Sequence, residues 1–198
     1  DIETSGLEHK EGHRIIEIGA CEMIDHVITD KTFHVYINPE REINIEATHV
    51  HGISNDDLKD KPTFSDICDE FIEYIGNSTL IIHNSDFDIS FINSELKLCG
   101  KNFEISNPII DTLKLAKKKF PGSLVNLDAL CRRYDVSLEN RKFHGALIDA
   151  VLLSEIYVEL IGGRQTSLAF ENKNDNNQSE KTLKEEQESI KKRETRNF

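Results

Sequence analysis

The chain has 198 residues, 37% hydrophobic and 30% charged, with a formal net charge of −12. That length allows one well-buried domain and an appendage, and no apolar run approaches the ~18 residues that a membrane span needs. Residues 171–198 are electrically neutral, so residues 1–170 carry the whole −12. Such a domain binds a polyanion poorly by charge alone, because Lys and Arg on phosphates supply most non-specific affinity.

No secretory signal pattern is present. Cys21, Cys68, Cys99 and Cys131 are scattered without a CxxC pair. They read as buried free thiols of a reducing cytoplasm, not as a thiolate metal site.

Asp1-Ile2-Glu3-Thr4-Ser5-Gly6 opens the chain with a motif that belongs at the end of a strand. Nothing precedes it and there is no initiator Met, so the N-terminal strand is expected to be truncated. Ile15–Ile24 reads as a strand with a largely buried face. Lys31–Asn38 alternates and pairs with it antiparallel across an Asp25–Asp30 turn region. Phe64, Ile67, Cys68, Phe71, Ile72 and Ile75 follow helical spacing, closed by Gly76.

Leu80–Ile82 is a short buried strand, followed by a helix over 87–99. Ile109-Ile110 is a strand leading into a helix over 112–120, which Pro121-Gly122 breaks. A short helix covers 127–134, and the last core helix covers 146–161, stopped by Gly162-Gly163. Antiparallel strands followed by alternating helices and strands predict an α/β fold, a mixed sheet with helices on its faces. From Glu171 onward the chain is polar and low in complexity. Residues 172–179 read as a linker, and 180–193 as a marginal charged helix.

Five residues at three separated places carry chemistry: Asp1 and Glu3, then Asp88 in HNSDFD, then His144 and Asp149 in HGALIDA. Asp1 and Glu3, two apart on a strand, share one face. Asp88 begins the helix after the 80–82 strand, where open α/β sheets place ligands. His144 and Asp149 are five apart, so both reach one site only if His144 lies in the loop before the helix.

Each fragment alone is more often an ordinary solvated edge, a helix-start acid or a loop histidine. Together they place acids at one sheet end, with no cationic side chain in their own motifs. Hard divalent cations neutralise such a set, and histidine moves protons near neutral pH. The pattern suggests a two-metal phosphodiester hydrolase.

DIETSG, HNSDFD and HGALIDA resemble the three motifs of the DEDDh exonuclease family. The match is best among the proofreading subunits that serve bacterial DNA polymerase III. EGHRIIEIGA, VHGI, DKPTF and NLDALCRRY extend the resemblance over about residues 1–170.

It implies a ribonuclease H-like fold with a mixed five-stranded sheet, and an exonuclease domain over 1–163. Asp1, Glu3, Asp88 and Asp149 would hold two Mg²⁺ or Mn²⁺ ions. His144 would be the general base, so activity should rise with pH as it loses its proton. Asp1, Glu3, Glu46, His51, Leu7 and Phe87 would contact the terminal nucleotide of a single-stranded or mispaired DNA 3′ end. Turn formation by His51 and core packing by Leu7 and Phe87 are the plainer readings.

Gln165-Thr166-Ser167-Leu168-Ala169-Phe170 resembles the family's sliding-clamp peptide, anchored by Gln165, Leu168 and Phe170. The polar tail over 171–198 would be a linker and a contact with the polymerase III catalytic subunit. The setting implied is a bacterial cytoplasmic replisome. Two alternatives stand beside this reading: an exoribonuclease of the same family, and a non-catalytic subunit that bridges clamp and polymerase.

Overall fold

The structure is a computed structural model that describes residues 1–139 and 141–162. A compact unit spans Asp1–Leu160. The clamp-like peptide and the tail lie outside the described residues.

Five strands are described: β1 (Ile2–Thr4), β2 (Ile15–Ile24), β3 (Val27–Tyr36), β4 (Leu80–Ile82) and β5 (Ile109–Asp111). Seven α-helices accompany them: α1 (Ile45–His51), α2 (Asn55–Leu58), α3 (Phe64–Ile75), α4 (Ser85–Leu98), α5 (Thr112–Lys119), α6 (Leu127–Arg133) and α7 (Ala146–Ile161). The mixed α/β class is as expected, and β2, α3, β4 and α7 have the expected bounds.

The hairpin between β2 and β3 is tighter than expected. Ile24 pairs with Val27, and the turn is Asp25-His26 with φ of 51° and 67°. Two positive φ angles make the two-residue turn whose twist suits a hairpin, so β3 starts at Val27 instead of Lys31. Helices α1 and α2 carry little periodicity to read: Ile45 and Val50 are exposed and each helix buries one side chain.

The strands form a three-stranded antiparallel group in the order β1-β2-β3 and a parallel pair β4-β5. The expected mixed sheet is thus seen as two hydrogen-bonded groups, with no ladder between β1 and β4. A cavity of about 190 Å³ is lined by residues of both groups, among them Ile2, Ile18, Leu80, Ile82, Asp1 and Asp88.

Alternation along β2 explains why its apolar run is nearly unbroken. Ile18 and Ala20 belong to the core that α3 and α4 fill with Phe64, Phe71, Phe91 and Leu96. Glu17, Gly19 and Cys21 take the other face, and all three meet α7 or its start. Glu17 accepts from the Ala146 N–H, Gly19 lies against Ala146 and Leu147, and the Cys21 thiol donates to the Ala150 carbonyl. A strand covered on both faces has little room for exposed polar positions.

A second cluster joins α5, α6 and α7 through Ala116, Leu130, Cys131 and Ile156. A partly buried ion pair ties the start of β2 to α4. Arg14 donates from Nε and Nη2 to the two Glu95 oxygens at 2.8 and 2.7 Å. Glu95 also accepts the Ile15 N–H at 3.1 Å. All four cysteines are free thiols; Cys68 and Cys131 are buried, Cys21 and Cys99 half-buried. Among the described residues no helix is long and apolar enough to cross a membrane.

Gly19 sets how closely α7 approaches the sheet. A Cβ there would lie 2.0 Å from the Leu147 nitrogen and 2.2 Å from the Ala146 carbonyl carbon. Backbone cannot swing aside as a side-chain tip can. Gly19→Ala is therefore expected to cost about 3 kcal/mol, read as a lower urea midpoint at unchanged m-value.

Candidate active site

The candidate residues meet where β1 and β2 face α7. Register places Glu3 directly opposite Glu17, so both side chains share the α7 face. The backbone nitrogen of Asp1 donates to the Gly19 carbonyl at 2.9 Å, and Gly19 returns a bond of 3.0 Å. Asp1 thus lies one pair further along the same face, as the two-residue spacing predicts.

On α7, Asp149 is buried one turn in, 4% exposed. His144 sits in the loop before the helix, as the five-residue spacing requires. That loop is fastened on two sides. The His144 N–H donates to the Val50 carbonyl of α1 at 3.2 Å, and the Ala146 N–H donates to Glu17 Oε2 at 3.2 Å. Phe143 lies over Gly52, where a Cβ would come within 3.0 Å of its ring. Gly52 has φ of 74° and closes α1, which gives the His51-Gly52 pair a local reason.

Glu3, His144 and Asp149 each present a ligand atom, and these atoms lie within 4.8 Å of one another. His144 is exposed, whereas both acids are buried. Its Nδ1 is 3.7 Å from Asp149 Oδ2. Asp88 is buried on the first turn of α4 and takes a hydrogen bond from the Ile2 backbone. Asp88 and Asp1 both line the cavity noted above. Neither belongs to the 4.8 Å cluster among the described residues.

Burial dominates the electrostatics. It pushes the Glu3 carboxyl up to about 8, with Asp149 and then Glu17 adding repulsion and Arg141 opposing them. Burial also pushes Asp88 up to about 6, against the chain's amino group and the Ile2 N–H. His51 and His83 are held below the ordinary histidine range by burial.

The other expected contact residues are spread around the centre. His51 is buried at the end of α1, and its Nδ1 accepts the Ile53 N–H at 3.0 Å. Its Nε2 is buried, and the Thr4 backbone also hydrogen-bonds the ring. Glu46 is exposed on the first turn of α1. Leu7 is 80% exposed in the loop after β1. Phe87 is half-buried with its ring centroid 4.9 Å from that of Phe91.

Sequence reasoning missed two residues. Arg141 donates from Nε and Nη2 to the two Asp149 oxygens at 2.5 and 2.7 Å. The cation absent from the motif thus comes from three residues upstream of it. Glu17, 2% exposed, joins His34 Nε2 at 2.7 Å to the start of α7. Its signal was available, as a lone acid inside Ile15-Ile16-Glu17-Ile18.

The exonuclease family model (RNase_T) matches residues 1–157. A DNA polymerase III subunit epsilon of Rickettsia felis is 54% identical over 177 residues, covering 87% of this chain and 77% of that protein. The chain belongs to the exonuclease family. The subunit epsilon of Escherichia coli K12 is 46% identical over 177 residues, covering 86% and 72%.

The structure of exonuclease X in complex with 5′ overhanging duplex DNA superposes with TM-score 0.66 at 25% identity, covering 82% of this chain and 89% of that one. The nuclease domain of 3′hExo, a DEDDh family member bound to rAMP, shares the fold with TM-score 0.66 at 21% identity, covering 76% and 82%. The activity that follows from membership and these relatives is that of a 3′–5′ exonuclease of the DNA polymerase III epsilon kind. Divalent-metal use goes with the family, and Glu3, His144 and Asp149 form a candidate cluster for it.

The raised carboxyls make stability depend on pH in a definite sense. A folded-state pKa of about 8 for Glu3, against 4.5 as its ordinary value, means that the folded protein holds a proton the unfolded chain has released. The stabilisation is full below about 4.5 and lost as pH rises through about 8. Asp88 acts in the same direction, up to about 6. With chelator present, the urea midpoint is expected to fall between pH 5 and pH 8, and Glu3→Gln to remove most of that slope.

Proposed function

We propose that Glu3, Asp88 and Asp149, with Asp1 on the same strand face, hold two divalent cations, Mg²⁺ or Mn²⁺, and that His144 is the general base of the exonuclease. The convergence of Glu3, His144 and Asp149 within 4.8 Å carries this reading. The donor set fits: carboxylate oxygens suit hard divalent cations, and one imidazole is compatible with them. Glu3 in particular is under-compensated: burial and repulsion from Asp149 and Glu17 outweigh Arg141 and hold it at about 8.

Glu3, Asp88, Asp149 and Asp1 would hold these cations, whose positive charge would supply stabilisation for the scissile phosphate and the leaving 3′ oxygen. The protein's own groups do the rest. His144 is exposed enough for water to reach its ring, and in its neutral form it accepts the proton from the attacking water. The loop bonds to Val50 and Glu17 fix where that proton is taken. Hydrolysis of the last phosphodiester releases a 5′-mononucleotide. A mispaired end frays more cheaply than a paired one, which favours it without base readout.

The terminal nucleotide is bounded in this reading by Leu7, Glu46, His51 and Phe87. Leu7 offers an exposed apolar side chain for a base to cover. Gln165, Leu168 and Phe170 would tether the domain to a sliding clamp, with residues 180–198 contacting the polymerase III catalytic subunit in a cytoplasmic replisome. The acidic charge of residues 1–170 supports tethering, because attachment raises the effective concentration of a DNA end that charge alone would not attract.

Asp149→Ala is expected to lower Mn²⁺-dependent removal of 3′ nucleotides from single-stranded DNA at least ~100-fold, with an unchanged circular-dichroism spectrum. Unchanged hydrolysis would refute the site. Matched DNA and RNA oligonucleotides are expected to show faster DNA degradation, and a marked RNA preference would remove the proofreading reading.

A further inference from the structure

We propose that Arg141 is an exchangeable counter-ion: it neutralises Asp149 while no metal is bound there and withdraws to Asp128 when one binds. This rests on the reading of Asp149 as a metal ligand. Arg141 has only 6% of its side chain exposed. Its fork engages both Asp149 oxygens, at 2.5 and 2.7 Å. Its remaining terminal nitrogen, Nη1, donates to Asp128 Oδ1.

A planar guanidinium on both oxygens of one carboxylate takes the in-plane positions that a second cation would share. A hard divalent ion needs at least one of those oxygens. Two positive charges on one buried carboxylate also repel each other at close range. The fork must therefore loosen as a cation settles.

What makes the exchange feasible is the second acceptor. A buried arginine that simply lost its partner would carry an uncompensated charge, which is costly. Asp128 removes that cost. It lies on the first turn of α6, its side chain is 37% exposed, and it stands outside the Glu3–His144–Asp149 group. Arg132 is the other cation near it, at 3.8 Å on the exposed side. Arg141 can thus swing about its own long side chain from two acids to one without leaving the protein or moving the helix that bears Asp149.

A purely orienting role for Arg141 predicts the opposite sign. If it held Asp149 in place for the metal, its loss would weaken binding. Isothermal titration of the full chain with Mn²⁺ separates the two. Arg141→Gln is expected to bind Mn²⁺ about tenfold more tightly, because no resident cation has to be displaced. Asp128→Asn is expected to bind several-fold more weakly, because the displaced arginine has nowhere to go. In the Arg141→Gln background Asp128→Asn should then have no effect. Without metal, Arg141→Gln should melt lower than the parent, and saturating Mn²⁺ should raise its melting temperature by more.

Should Arg141→Gln fail to fold, Arg141→Lys keeps the charge but loses the fork, and still must bind Mn²⁺ more tightly than the parent. Weaker or unchanged binding in the Arg141 variants, or an Asp128→Asn effect of equal size in both backgrounds, would overturn the exchange. Asp149→Asn keeps the two failures apart. If it abolishes tight Mn²⁺ binding while the Arg141 variants do not tighten it, the exchange alone is wrong. If Mn²⁺ binding ignores Asp149→Asn, the metal reading falls and the exchange with it.

Discussion

Two glutamates face each other across the first two strands, buried on the side that α7 covers. Glu3 and Glu17 are a directly opposed pair, and like charges in that position repel. Their surroundings treat them differently. Glu17 is given His34 and the first N–H of α7. Glu3 is buried among the negative charges of Asp149 and Glu17, which Arg141 offsets only in part. One acid is satisfied so that it can build the site; the other stands at its centre with an excess of negative neighbours. The positions of β1, β2 and α7 follow from keeping these two roles apart.

The start of α7 is the joint on which this depends. Gly19 lets the helix backbone come against β2, where any side chain would collide with Ala146 and Leu147. That approach puts the Ala146 N–H within reach of Glu17, two residues before Gly19 on the same strand face. The bond in turn fixes the loop that carries His144, with Val50 holding its other side. Asp149 follows three residues after Ala146, turned toward Glu3. A glycine and a glutamate that need not touch a substrate therefore decide whether three side chains from distant parts of the chain meet.

Much of this was legible in the sequence, and the reason is periodicity. The two-residue spacing of Asp1 and Glu3 gave their common face, the helical spacing of Phe64 to Ile75 gave α3, and the five-residue gap from His144 to Asp149 required a loop and then a helix. What escaped lacked a period. The Asp25-His26 turn depends on two left-handed residues that no apolar pattern announces. Helices α1 and α2 bury one side chain each. Arg141 stands in a loop, and its pairing with Asp149 is set by how that loop folds back over α7. Glu17 was visible as a charge inside an apolar strand, yet only the covering of both faces of β2 explains why the charge is tolerated there. The grouping of the strands into three and two depends on whether β1 and β4 meet, which strand patterns do not specify.

Charge at the centre and charge over the whole domain are parts of one problem. Residues 1–170 hold the entire −12 of the chain, and the acids of the site stand inside that field. A nucleic-acid end brings more negative charge to the same place. Arg141 is too buried, and too committed to Asp149 and Asp128, to greet a phosphate directly. In the proposed reading divalent cations serve twice, for the chemistry and for the approach, since they reverse the local sign where the phosphate must settle. Long-range attraction still has to come from elsewhere, because a local reversal is screened within about 8–10 Å at ordinary salt. That is the physical case for a tether: a domain whose field repels its substrate at a distance works best when something else has already brought the end within reach.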